Sequence, residues 1–524
     1  MRPSKKKIVG IFLVMSGIIF SVSCQEYKIE KKANTAVFIA KDSTKENGSD
    51  EFYLWEKSNE NNSSNIAVNQ LGYRKNDKKI AIVPNMEEAQ EFQVLTEDGK
   101  VVYTGKLENT YQDSNYNETL SYADFTTINK EGTYYIMCGE TIASPIFEIS
   151  NHVYEKLEQA AMHPFIVDLI KEESGQKRVS LEERSKKVPI CNDVSKKVNV
   201  SGGWYTNCDE GRYVVSSCTA LWNMMYLQQY YQEKFTTFKD GEKKVAIHLE
   251  DQIKKELNWL LKMQEKESGG VYHKVTSKTG DTNDTELIVS QISTCATADF
   301  SSIMAKGAMF FKHKDDKLSE KYLKASKKAW EYLNKNEENQ VFFNRNGIES
   351  KEYADAVDTD ERLWAATELY LATKDEDFLK RMEKLYDPNS ELDFGWKNVT
   401  GLAYYDLYVN GKKEDTPLYK KIDEKLQNGV KSSVEYLEKG YQINASDAKK
   451  NYQYIMNRGV LLTLMKRADQ NSKIAYGLGT KHYLDFLLGA NQQSDNVFSE
   501  VTANNEEPSI ELSSSLLLIL QNIA

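Results

Sequence analysis

Several things are scarce in this chain of 524 residues, and each scarcity removes a class of function. Basic charge is outnumbered, 68 Lys and Arg against 78 Asp and Glu, for a net charge of -10. Without a basic footprint, the chain does not read as a nucleic-acid binder. Cysteine is thin, six residues in all. Apart from Cys24, the five others (Cys138, Cys191, Cys208, Cys218 and Cys295) are an odd number without close, regular spacing, which is neither a disulfide framework nor a zinc site. Cys208 and Cys218 are near enough in sequence to pair, but buried free thiols are the preferred reading. The apolar run from Ile8 to Phe20 is too short to span a bilayer comfortably.

That run follows Lys5-Lys6-Lys7 and reads as the core of a signal peptide. It ends at Ser21-Val-Ser-Cys24, where small residues precede a cysteine as they do at a bacterial lipoprotein cleavage site. Residues 1–24 are thus expected to be a lipoprotein-type signal, with Cys24 lipidated; the rival is plain secretion after ordinary cleavage. The protein would then be exported to the cell surface and meet a membrane only through its lipid anchor. Residues 25–64 are rich in Lys, Glu, Asn and Ser and bury little, so they are expected to be a disordered tether.

What the chain does have is aromatic surface and two contrasting patterns. From 65 to 150 short apolar or alternating runs recur, among them Ile80–Val83, Glu91–Leu95, Val101–Thr104, Gly132–Met137 and Pro145–Ile149. Glu97-Asp-Gly99 reads as a hairpin turn between two of them. Such spacing argues for a β-sandwich. From 151 to 524 the pattern is helical, with about twelve amphipathic segments, the clearest at Asp251–Met263. Twelve helices can pair into six hairpins, and periodicity alone does not separate a closed barrel from a solenoid.

The stretch around which the helical half is organised is Val200-Ser-Gly-Gly-Trp-Tyr-Thr-Asn-Cys-Asp-Glu-Gly-Arg-Tyr-Val-Val215. Gly202 and Gly203 permit a tight turn. Trp204 and Tyr205 offer flat faces on which sugar rings stack, and Asp209 stands just ahead of a helix. Asp209 has two readings, a general base or a helix cap. His273, in a glycine-flanked loop, likewise reads either as a sugar contact or as a solvated side chain.

This stretch resembles the Gly-Gly-Trp-Tyr-Asp-Ala-Gly-Asp segment of glycoside hydrolase family 9. Val68-Asn-Gln-Leu-Gly-Tyr73 resembles the start of the immunoglobulin-like domain that precedes many bacterial catalytic domains of that family. Glu256–Gln264 with Gly269–Lys274, Ser293–Phe300, Asp360–Ala366 and Tyr483–Asn491 resemble further family segments. The resemblance implies an N-terminal immunoglobulin-like β-sandwich followed by an (α/α)6 barrel, and cellulase-like hydrolysis of β-linked glucan or oligosaccharide with inversion. It implies no required cofactor. Matched residue by residue, Asp209 takes the place of the general base, and Thr206 stands where a second aspartate would help hold the attacking water. Aligning Ile510 places Glu507 on the general acid, with Glu506 one residue away. Some members bind calcium at a pair like Asp360-Glu361; here Lys397 occupies the position of a third acidic ligand, which favours helix capping over a metal. No His or Arg follows His482, and Asn491 to Asn505 is too short for the His- and Arg-bearing loop usual in the family. Together with Thr206, that departure raises a second expectation, a surface glycan-binding protein that has lost catalysis.

Overall fold

The computed structural model describes residues 66–86, 91–139, 142–173, 183–205, 211–240, 243–279, 286–345, 347–411, 416–499 and 509–523. The expected signal, tether and Cys24, together with Thr206, Cys208, Asp209, Glu506 and Glu507, lie outside them.

The first part is built of strands. They are β1 (Gly72–Tyr73), β2 (Ile80–Pro84), β3 (Glu91–Thr96), β4 (Val101–Asp113), β5 (Glu118–Asp124), β6 (Gly132–Cys138), β7 (Ile142–Ala143) and β8 (Phe147–Ile149). Alternation sets their faces: in β3, Phe92 and Val94 are buried while Glu91 and Gln93 are exposed. The expected hairpin joins β3 to β4, with Gly99 in the left-handed region at φ 82°. β4 is longer than its sequence pattern suggested. Its first half pairs with β3 and its second half with β5, so one strand serves both faces of the sandwich. Between the faces lie Val68, Tyr73, Phe92, Val94, Phe125, Ile136 and Phe147. β1 runs parallel to β8 so closely that a Cβ on Gly72, at φ 125°, would lie 1.8 Å from the Glu148 carbonyl oxygen. Only glycine fits that position.

The helical part contains α1 (Glu155–Glu173), α2 (Val214–Tyr231), α3 (Leu249–Met263), α4 (Thr294–Phe311), α5 (Asp316–Lys335) and α6 (Thr359–Thr373). It continues with α7 (Glu376–Leu385), α8 (Thr400–Asn410), α9 (Pro417–Val434), α10 (Tyr452–Ala468), α11 (Tyr476–Leu487) and α12 (Ile510–Asn522). Their starts follow capping chemistry. The side chains of Ser293, Asp315, Asp375, Thr416, Asn451 and Ser509 each accept a backbone N–H at a helix start, and Pro417 opens α9.

α2, α4, α6, α8, α10, α11 and α12 are buried over most of their length, whereas α3, α5, α7 and α9 bury one stripe. α2 packs on α4, α4 on α6, α6 on α8, α8 on α10, α10 on α12, and α12 returns to α2. Each helix of this ring carries one more helix against it: α3 on α2, α5 on α4, α7 on α6, α9 on α8, α11 on α10 and α1 on α12.

The part after Ser150 is not purely helical, contrary to the pattern in the sequence. Val188–Ile190, Asp193–Val198, Arg212–Tyr213, Lys274–Ser277 and Leu287–Val289 form a small sheet. Arg212–Tyr213, Lys274–Ser277 and Leu287–Val289 are buried, and pairing with one another serves their backbone groups, while Asp193–Val198 is largely exposed. Strands of two to six residues leave little periodicity to read.

Candidate active site

In the helical part, several segments that resemble the family lie in, or run into or out of, the connectors that precede α2, α4, α6, α8 and α12. Val200–Tyr205 leads to α2, His273 to α4, Tyr353 to α6, Trp396 to α8, and residues 488–499 run toward α12.

The glycine–aromatic turn is clamped by α3. Glu256, Trp259 and Lys262 recur every three residues and so share one face of that helix. Glu256 Oε2 accepts the Trp204 backbone N–H at 2.7 Å, and Lys262 Nζ donates to Ser201 O at 2.6 Å. Gly203, at φ 90°, lies flat on Trp259; a Cβ there would sit 2.6 Å from the indole. Arg212, buried, donates through Nη1 to Val200 O at 2.6 Å and Gly202 O at 2.7 Å, and through Nη2 to Ser185 Oγ at 3.0 Å. These clamps were not singled out in the sequence, although the three-residue spacing on α3 was there to be read.

Trp204 and Tyr205 line a cavity of about 250 Å³ together with Phe165, Gln252, Glu256 and Trp259. They are only 6% and 4% exposed, and the Trp204 ring meets Phe165 edge-on at 4.8 Å. The structure therefore places them as inward packing of the turn, with little face open to a passing sugar.

α2 begins at Val214 with Tyr213 at its cap position, and α12 begins at Ile510 with Ser509 as its cap and Glu511 in its first turn. Asp209, Glu506 and Glu507 lie outside the described residues.

His273 is a correction. It is fully buried; Nε2 donates to the Glu352 carbonyl at 2.9 Å, and Nδ1, 2.9 Å from Ser293 Oγ, accepts from that hydroxyl. Its ring stacks on Phe342 at 4.0 Å. Both nitrogens are used, so the side chain braces two connectors and leaves nothing for a sugar hydroxyl. Burial pushes its pKa down to about 3, helped by the neighbouring Lys274 ammonium. The segment it braces projects Tyr353, held at φ 51°, between Tyr213 at 4.6 Å and Trp396 at 5.0 Å. A non-glycine residue in that region is strained and marks a place where the backbone is held against preference.

Asp360 Oδ2 accepts the Val399 N–H at 2.9 Å. Asp355 is lifted to about 6 by burial, while Lys397 pulls the other way. Burial pushes the carboxyls of Asp299 and Glu361 well up, the Asp360 charge adding to each. Among the described residues no group of three or more His, Cys, Asp or Glu is placed to hold a metal ion. Cys138, Cys191, Cys218 and Cys295 are free thiols.

The family described as glycosyl hydrolase family 9 matches residues 170–505, and the cellulase N-terminal ig-like domain matches residues 61–142. The chain belongs to glycosyl hydrolase family 9. An endoglucanase D of Acetivibrio thermocellus is 29% identical to this family 9 chain over 393 residues, 71% of this chain and 62% of that protein. A cellodextrinase of Butyrivibrio fibrisolvens is 28% identical over 478 residues, 84% of this chain and 85% of that protein. The family 9 chain thus spans about three fifths of the length of that endoglucanase. A metagenome-derived glycoside hydrolase family 9 endoglucanase shares the fold at a TM-score of 0.70 and 20% identity, over 87% of this chain and 98% of that one. A thermostable endoglucanase from Alicyclobacillus acidocaldarius does so at 0.71 and 21%, over 88% and 99%.

Proposed function

We propose that this family 9 chain is an inverting glycoside hydrolase acting on β-linked glucan or its oligosaccharides. Its helical part is read as an (α/α)6 barrel with a sugar groove across the ends from which the inner helices start. One observation carries the reading. The base-bearing stretch enters α2, the acid-bearing stretch enters α12, and α2 and α12 are neighbours, joined by Asn223 Nδ2 donating to Ser514 Oγ at 3.0 Å. On this reading Asp209 and Glu507, far apart in sequence, act from the same side of the barrel, and the contact between α2 and α12 supports it.

Inversion needs a base that takes a proton from water on one face of the sugar and an acid that protonates the leaving oxygen on the other. Asp209 takes the first role and Glu507 the second. The Thr206 hydroxyl orients the water without adding charge. No cofactor enters these steps. The named relatives, an endoglucanase and a cellodextrinase, support hydrolysis over a binding-only role.

The test is hydrolysis of cellodextrins and soluble β-glucans, with product anomers followed by NMR. The expected first product is the α-anomer. Asp209→Asn and Glu507→Gln should each lower kcat by about 10²–10⁴-fold, with glucan binding retained. A wild-type protein that releases no reducing ends from any β-glucan, or variants that keep its rate, would defeat the reading.

A further inference from the structure

The connector from α11 toward α12 is a closed loop. Leu488 and Asn496 form a bridge, and Val497 N donates to Leu487 O at 2.9 Å. Asn491 Nδ2 donates to Phe486 O at 2.6 Å and to Asp495 O at 2.7 Å, and Asn491 Oδ1 accepts from Asp495 N at 3.0 Å. These bonds shape the loop, and contacts from outside the helical part then fix it in place. Gln70, at the start of the sandwich, donates its backbone N–H to Leu488 O at 2.9 Å and its side-chain Nε2 to Ser494 O at 2.7 Å.

The fit is close. Gly489 has φ 114°, and a Cβ there would lie 2.5 Å from Gln70 Nε2 and 2.8 Å from Cδ. The Gln70 side chain therefore occupies the space that any other residue at 489 would need. Gln70 itself has little freedom, because Asn69 beside it is pinned. Asn69 Nδ2 donates to Asp485 Oδ1 at 2.7 Å and to Tyr154 Oη at 3.0 Å, while its Oδ1 accepts from Leu71 N and Gly72 N. Asp485, at the end of α11, is also paired with Lys481.

We propose that Gln70 of the sandwich is a positioning residue for catalysis, fixing from outside the helical part the loop 488–499 that leads into the acid-bearing stretch. The inference rests on the reading of Glu507 as the general acid. Residues 488–499 precede the acid-bearing stretch in the chain, and on the reading of Glu507 as the acid, loosening this loop at Ser494 is expected to loosen the hold on the acid. A misplacement of about 1 Å can cost up to roughly a hundredfold in rate.

The test uses the full chain. Gln70→Met keeps volume and stem but removes the donor; Gln70→Lys restores a donor of similar reach. Gln70→Met should lower kcat by about tenfold or more at nearly constant KM and move the basic limb of the pH–rate profile, which reports the acid. Gln70→Lys should recover part of the loss. Hydrogen exchange should quicken in 488–499 and stay unchanged in β3 and β6, which excludes a folding defect. Gly489→Ala should reproduce the kinetic loss from the other side of the contact. A wild-type kcat and pH profile in Gln70→Met, or unchanged exchange in the loop, overturns the proposal. Glu507→Gln, measured in parallel, separates the two failures. If Glu507→Gln is inactive while Gln70→Met is fully active, only the positioning role falls. If Glu507→Gln is fully active, the acid assignment falls and the positioning role falls with it.

Discussion

The turn at 200–205 leads toward α2 and the loop at 488–499 toward α12, yet they are held from different directions. The first is clamped by its own half of the molecule: Arg212 from seven residues downstream, and Glu256, Trp259 and Lys262 from the next helix. The second depends on Gln70, 424 residues before Ser494. A local clamp forms as soon as α2 and α3 pack. A distant clamp forms only once the sandwich and the helical part have docked. Tyr122 Oη donating to Gly440 O at 2.9 Å and Tyr441 Oη donating to Glu118 Oε2 at 2.8 Å extend the same docking to the connector before α10.

The largest effect is expected from the local side. Glu256→Ala removes the acceptor of a buried N–H, at a cost of roughly 1–3 kcal/mol, and releases the turn that feeds Asp209. The expected outcome is a fall in kcat of about tenfold or more, with a lower urea midpoint; Glu256→Gln keeps an acceptor oxygen and should recover part of both. If Glu256→Ala turns over at the wild-type rate, α3 does not hold the base-bearing turn. Combining it with Gln70→Met sharpens the contrast. Two loops held independently should give losses that add within about 0.5 kcal/mol, whereas strong coupling would mean that one clamp depends on the other.

From the distant side, Asn69→Ala is expected to act on stability before rate. It strips Asp485 of one of its two partners and leaves two backbone N–H groups without their acceptor. Each lost hydrogen bond contributes about 0.5–1.5 kcal/mol, more for the one to a charged group. Thermal or urea unfolding should report a clear drop, with a smaller fall in kcat than for Glu256→Ala. Unchanged stability would show that the docking does not rest on this residue.

Much of this was legible in the sequence, and the parts that were not share a physical reason. The helix expected at Asp251–Met263 is found at Leu249–Met263, because apolar spacing is a local signal. Val68–Tyr73 was recognisable as the opening of the sandwich, but not as a hand reaching to Ser494, since no periodicity reports a partner so far away. The inward packing of Trp204 escaped for a related reason: an aromatic beside glycines looks the same in sequence whether it faces a sugar or Phe165.

His273 is the clearest case of a role set by distant partners, and it supports the smallest of the expected effects, one read through pH. Its pKa is about 3 in the folded protein because burial disfavours the cation, against about 6.5 for an ordinary histidine. Between those values the unfolded chain binds a proton that the folded chain does not, so this residue makes stability fall as pH drops below about 6.5. His482, also buried and pushed to about 3, acts in the same direction. Asp393 and Asp355, raised to about 7 and about 6, act in the opposite direction, since their folded forms hold protons that the unfolded chain gives up as pH rises past the ordinary carboxylate range. The net slope of the wild type is therefore a poor test, and the difference from His273→Gln is a good one. Gln can still donate to the Glu352 carbonyl and accept from Ser293 but carries no titratable proton. At pH 8 the variant should be somewhat less stable than the wild type, having lost the stacking on Phe342. As pH falls toward 5 the gap should narrow or invert, because only the wild type pays for keeping residue 273 neutral. Urea unfolding at pH 5, 6, 7 and 8 measures that gap directly. A gap that stays constant across the series would mean that His273 is protonated in the folded protein, and its role as a neutral brace between Ser293 and Glu352 would have to be given up.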